Sequence, residues 1–110
     1  MEPADFQPIV VTTTSDDREV LEKISYQLID SQLAACVQIS GPIKSCYRWE
    51  GKVENSDEWL CTIKTSLELF DQLQRTVLAL HNYDEPQLLG WPIACGSTGY
   101  LDWLKNNLGQ

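Results

Sequence analysis

Chemistry-bearing side chains are densest in "HNYDEP", residues 81–86. His81 is the only histidine of the chain, and Tyr83, Asp84 and Glu85 follow it. A neutral imidazole beside carboxylates suits copper or zinc, but a firm site takes three or four ligands. His81 with Asp84 or Glu85 therefore predicts a weak site for Cu(II) or another divalent cation, or one completed by a neighbouring subunit. The other reading is a helix end running into a turn. An imidazole there suits the negative end of the helix dipole when charged, and Asp84 and Glu85 are then solvated turn residues. Local sequence leaves both open.

A second set of residues could line a cleft for a small ligand: Tyr47, Trp49, Lys64 and Tyr83. Lys64 could meet an anion there or pair with Glu85. Core and interface packing is the competing explanation for so many large rings. "ACGSTG" (94–99) reads as a strand-to-helix junction, a weak anion signal and otherwise an ordinary N-cap turn. There is no G-x-S-x-G, no P-loop and no G-x-G-x-x-G, and no nucleophile stands next to a base. The expectation is a binding protein and not an enzyme.

The elements that must hold these residues are clearly punctuated. "IVVTTT" (9–14) is a β-branched run and predicts a first strand. Residues 15–32 predict a helix capped by Thr14 or Ser15, with Val20, Leu21, Ile24, Leu28 and Ile29 at helical spacing. Residues 33–49 predict a long strand kinked at Gly41-Pro42. Alternation puts Ile43, Ser45, Tyr47 and Trp49 on one face and Lys44, Cys46 and Arg48 on the other. "EGK" (50–52) predicts a turn, and residues 53–65 return as the second arm of a hairpin, with Trp59, Cys61 and Ile63 on one face. Thr65 and Glu68 have capping-box spacing. The second helix carries Phe70, Leu73, Val77 and Leu80 on one stripe and ends near His81-Asn82. Residues 86–96 predict a fourth strand bent near Gly90 and Pro92. Residues 97–109 predict a last helix with Leu101, Leu104 and Leu108 inward and Gly109 as its stop.

The order β-α-β-β-α-β plus a helix predicts an α+β, ferredoxin-like fold over residues 1–110 as a single domain. Residues 35–49, fully extended, would reach ~50 Å, whereas a compact domain of this length is ~35 Å across. The hairpin should protrude, and a protruding strand with Tyr47 and Trp49 invites pairing between subunits.

The charge balance narrows the partners. A net charge of -8 argues against nucleic acid and against anionic lipid. The opening "MEPADFQPIVV" has no basic or apolar leader, so no signal peptide is expected. No apolar run approaches the ~20 residues that span a bilayer. Cys36, Cys46, Cys61 and Cys95 are widely spaced with no C-x-x-C pair, which predicts free thiols in a reducing, cytoplasmic compartment.

"VVTTTSD", "LAACVQI", "SCYRWEGKVE", "IKTS", "HNYDEPQLL" and "GYLDWL" occur in this order over roughly residues 9–108. The chain thereby resembles the CutA family, the divalent-cation-tolerance proteins. The resemblance implies a ferredoxin-like fold assembled as a homotrimer in which long hairpins extend neighbouring sheets. It implies a cytoplasmic role in divalent metal, including copper, tolerance. It also suggests, by architectural likeness to the trimeric PII signalling proteins, a small-molecule effector in clefts between subunits. A scaffold whose assembly is its function is a further alternative. The chain departs from the family at informative positions. Asn82 stands where proline is common, and Gln87 where glutamate is common. Some bacterial members assigned a copper site carry a cysteine late in the first strand and two adjacent histidines at this helix end. Thr13 and Leu80 stand there instead, leaving only His81 of that set.

Overall fold

The computed structural model describes residues 6–109. Strand β1 (Pro8–Ser15) is followed by helix α1 (Arg18–Asp30), strands β2 (Cys36–Trp49) and β3 (Lys52–Ser66), helix α2 (Phe70–Leu80), strand β4 (Leu89–Pro92) and helix α3 (Thr98–Asn106). The strands form one four-stranded sheet in the order β2-β3-β1-β4. Each neighbouring pair is antiparallel. This is an α+β architecture with three helices.

Alternation along β1 and β3 decides the core. Val11 lies opposite Ile63, and Ile9, Val11, Cys61 and Ile63 point to the face covered by α1 and α2. They meet Leu21, Ile24 and Leu28 of α1 and Leu73 and Val77 of α2, all at 0% exposure. Each fully buried Leu or Ile contributes roughly 1.5–3 kcal/mol relative to exposure. Ile29 and Leu80, expected inward, are instead 42% and 41% exposed. Ile29 flanks the buried stripe, where the helix surface already turns to solvent, and Leu80 is the last residue of α2.

The hairpin protrudes as expected. The molecule measures 52 × 25 × 21 Å with a radius of gyration of 15.0 Å, against ~13 Å for a compact chain of this length. Its tip is a tight turn with Glu50 and Gly51 at φ 50° and 79°, the doubly left-handed turn whose twist suits paired strands. The kink lies where predicted, as a register shift between Ser40 and Ile43. Gly41 there has φ 142°, and a Cβ on it would stand 2.9 Å from Trp59 Cδ1.

Several boundaries differ from the sequence expectation. The cap of α1 is Asp17, whose carboxylate accepts from the Glu19 amide at 3.0 Å. Thr14 and Ser15 remain in the strand. The second strand starts at Cys36 and not at residue 33, because Leu33 and Ala34 direct their amides to the carbonyl of Leu28 and so close α1. The Thr65–Glu68 capping box does not form. Thr65 is fully buried in β3 and its hydroxyl donates to the Leu33 carbonyl at 2.7 Å, and a short 3-10 turn, Leu67–Leu69, leads into α2. The fourth strand is only four residues long, ending at Pro92, which has no N–H for the ladder. Helix α3 ends at Asn106, and Gly109 lies beyond it with its amide donating to the Gln32 carbonyl at 2.9 Å.

Candidate functional site

On the sheet face opposite the α1/α2 layer, the root of the hairpin and the loop after α2 enclose an open cleft of about 960 Å³. Cross-strand register builds its floor. Ser45 lies opposite Ser56 and Tyr47 opposite Glu54, with Glu58 opposite Ile43. The period of two then puts Ser45, Tyr47 and Trp49 on one face with Glu54, Ser56 and Glu58. Thr14 and Asp16 approach from the end of β1, and residues 83–87 form the far wall.

Glu58 is the centre of the hydrogen bonding. It is only 7% exposed. Ser45 Oγ donates to its Oε1 and the Tyr83 phenol to its Oε2, each at 2.6 Å. The same phenol oxygen accepts from the Asp16 amide at 2.8 Å. Desolvation, together with the bonded carboxylate, pushes the Tyr83 hydroxyl far above the ordinary phenol range. Tyr83 is therefore a neutral donor at any physiological pH.

His81 caps the C-terminus of α2, and both its ring nitrogens are engaged. Its Nε2–H donates to the Thr14 carbonyl at 2.9 Å, and its Nδ1 accepts from the Tyr83 amide at 3.0 Å. Burial lowers its affinity for a proton, opposed by the Thr14 carbonyl and by the charges of Asp16 and Glu58. The imidazole is thus a neutral brace that ties α2 to β1 and sets the backbone from which Tyr83 reaches Glu58. A chelating metal centre does not fit this arrangement: the lone pair a metal would need is held by an amide. Among the described residues, no group of three or more His, Cys, Asp or Glu side chains is arranged to hold a metal ion. Asp84 and Glu85 are exposed in the cleft wall.

Of the proposed ligand set, Tyr47, Trp49 and Tyr83 line one cleft. Lys64 does not join them. It lies further along β3, opposite Val10 and Cys36. Its ammonium donates to Gln38 at 3.0 Å and sits 5.7 Å from the Tyr100 ring of α3.

The departures from the family pattern have uses here. Asn82 Oδ1 accepts from Ser15 Oγ at 2.6 Å and its Nδ2 donates to Asp16 Oδ1 at 2.9 Å, two bonds proline could not make. Gln87 Nε2 donates to Thr12 Oγ1 at 3.3 Å. Thr13 is buried in the sheet with its hydroxyl unpartnered. Sequence reasoning missed Glu58 and Glu54. The available signal was a glutamate on the face of a strand, where the type is disfavoured, two register steps from a serine.

Fold and cleft define a small α+β protein built around an acidic, aromatic-lined opening at the root of a long hairpin. Residues 9–107 match the family described as CutA1 divalent ion tolerance protein. The chain belongs to that family. It is 42% identical over 100 residues to the divalent-cation tolerance protein CutA of Thermus thermophilus, covering 91% of this chain and 97% of that one. It is 44% identical over 99 residues to the chloroplastic protein CutA of Arabidopsis thaliana, covering 90% of this chain but 54% of the relative. The chain thus spans about half the length of that plant protein. Among solved structures, CutA1 of Oryza sativa superposes with a TM-score of 0.92 at 40% identity, covering 96% of this chain and 97% of that one.

Proposed function

We propose that the chain acts as a trimeric, cytoplasmic protein of divalent-cation tolerance, copper included, that meets divalent cations weakly through its cleft carboxylates and not at a chelating centre. One observation carries this reading. Asp16, Glu54, Glu58, Asp84 and Glu85 all line one opening, and among the described residues no Lys, Arg or His side chain lines it. A concave wall of one charge sign concentrates counter-ions. With no chelating group, ions are held largely hydrated, so the dissociation constant is on the order of 10⁻⁴–10⁻³ M. We propose no catalytic role.

The trimer is supported by the protruding hairpin, which gives the molecule its 52 Å long axis. A long edge strand such as β2 presents unpaired backbone groups for another chain, and closed symmetric assembly is the usual way to cover them. Four free thiols favour a reducing compartment, and no helix among the described residues is long and apolar enough to cross a membrane.

Light scattering on a sizing column should give the mass of three chains. Calorimetric titration with Cu(II) and Mg(II) should give weak binding that disappears in a Glu54→Gln/Asp84→Asn/Glu85→Gln variant. Binding that survives in this variant but is lost in His81→Asn would overturn the reading. A second reading, a PII-like module for a small effector, is favoured by the convergence of Tyr47, Trp49 and Tyr83 on the same cleft.

A further inference from the structure

Glu58 lacks a partner that its own chain does not supply. It is 7% exposed, and its two oxygens accept from the Ser45 and Tyr83 hydroxyls. Among the described residues no cationic side chain forms a salt bridge with it. A buried carboxylate ordinarily has a cationic partner. The Ser56 hydroxyl on the same face of β3 is buried with no hydrogen-bond partner among the described residues, and Glu54 follows on that face towards the tip.

The hairpin tip carries the complement. Arg18 and Arg75 are each held one turn away on their own helices, by Glu22 at 3.2 Å and Asp71 at 2.8 Å. Lys44 is held by Asp57 at 2.9 Å. Arg48 is exposed and, among the described residues, in no salt bridge; it makes one long contact, 3.4 Å to the Gly51 carbonyl. It cannot serve the Glu58 of its own chain. Arg48 lies opposite Val53, so its side chain leaves the hairpin on the face away from Glu54 and Glu58. From Glu58 to the tip, β3 also runs roughly 20 Å. A guanidinium fork matches a carboxylate and is more weakly hydrated than an ammonium, which suits arginine to interface ion pairs.

We propose that Arg48 of one chain enters the acidic opening of a neighbouring chain and pairs there with the neighbour's Glu54 and Glu58. The proposal rests on the reading that the chain assembles as a trimer, and it names a contact that assembly uses. Each chain gives its tip and receives another at the root of its own hairpin, a head-to-tail contact that closes into a ring. Tyr47 and Trp49 then belong to the interface and keep water from the pair. Asp84 and Glu85, on the far wall, stay open to solvent cations. The site around Glu58 is incomplete in a single chain.

The test is a charge swap read by light scattering on serial dilution of the whole protein. Arg48→Glu should raise the chain concentration at which the trimer dissociates by at least about tenfold, the scale of one close charge pair across an interface. Glu54→Arg should do the same. Arg48→Glu/Glu54→Arg should return the midpoint towards wild type. On one chain the two positions lie on opposite faces, so the rescue reports a contact between chains. Arg75→Glu on α2 makes the same change of net charge and should leave the midpoint unmoved. A measurement on wild type needs no variant: phenylglyoxal should modify Arg18 and Arg75 in the trimer and spare Arg48, located by peptide mapping. A wild type that is monomeric at every concentration overturns the trimer reading and this proposal with it. A trimer indifferent to Arg48→Glu, or one in which Arg48 is modified as fast as Arg18, overturns this proposal alone. So does a weakened Arg48→Glu trimer that the second substitution fails to restore, or an equal shift in Arg75→Glu, which would assign the effect to net charge.

Discussion

The phenol of Tyr83 donates a 2.6 Å hydrogen bond to Glu58, 25 residues earlier in the chain. That single contact joins the loop after α2 to the root of the hairpin. Tyr83→Phe keeps the ring and removes the donor, leaving one oxygen of a buried carboxylate without it. The expected loss is about 1–3 kcal/mol of stability, the cost of an unsatisfied buried polar group. Urea unfolding measures it. A change within a few tenths of a kcal/mol would show that water replaces the phenol freely.

His81 makes stability depend on pH in a defined direction. Its proton affinity in the fold is lowered from the ordinary value of 6.5, first by burial. The unfolded chain therefore binds the proton more readily, and stability rises with pH while it does so. The His81 contribution is complete above about pH 6.5 and is lost as pH falls towards the folded-state value. Protonating Nδ1 would also set its N–H against the Tyr83 amide that it now accepts from. Melting temperature measured through this window should fall with acidification in wild type. In His81→Gln the decline over the same window should be absent, and an identical decline would assign the effect to carboxylates.

Gly41→Ala should destabilise the hairpin root. Its φ of 142° is hostile to any side chain, and the new methyl would meet Trp59 Cδ1 at 2.9 Å and the Glu58 carbonyl at 3.1 Å. Gly51, at the tip, also has a positive φ of 79° but open space around it. Gly41→Ala should therefore cost more than Gly51→Ala, about 1–3 kcal/mol against roughly 1 kcal/mol or less. Chemical denaturation of the two variants gives the ranking, and the reverse order would contradict the packing described for the kink.

The cysteines should separate by reactivity. Cys61 is fully buried, and desolvation pushes its thiol up to about 11, partly offset by a hydrogen bond with Ser25. Cys46 and Cys95 are exposed. Thiolate is the reactive form, so a disulfide reagent at neutral pH should modify Cys46 and Cys95 first and Cys61 only on unfolding. Early modification of Cys61, located by peptide mapping, would mean that the sheet opens locally.

The order of elements was legible because each rests on short-range periodicity. The β-branched run of 9–14, the Leu21–Ile24–Leu28 spacing and the alternation that separates Tyr47 from Cys46 all survive in the structure. The errors are at ends, where a tertiary bond overrode a local preference. Thr65 has the spacing of a cap, but the Leu33 carbonyl claims its hydroxyl.

The sequence by itself determined the family, the strand and helix order and the length of the hairpin, since all of these are written in contiguous residues. It also marked His81 and the ring-bearing positions 47, 49 and 83 as worth testing. Only the tertiary structure decided what those residues meet. The bonds that define the cleft join positions 58 to 83, 14 to 81 and 15 to 82, separations that no periodicity reports. Folding turned the one histidine into a neutral brace, carried Lys64 away from Tyr47 and Trp49, and brought five carboxylates to the opening where an anion site had been conceivable. The physical reason is register: one-residue alternation sends Ile63 to the core and Lys64 to the opposite face, and its place along β3 then decides which loop it meets.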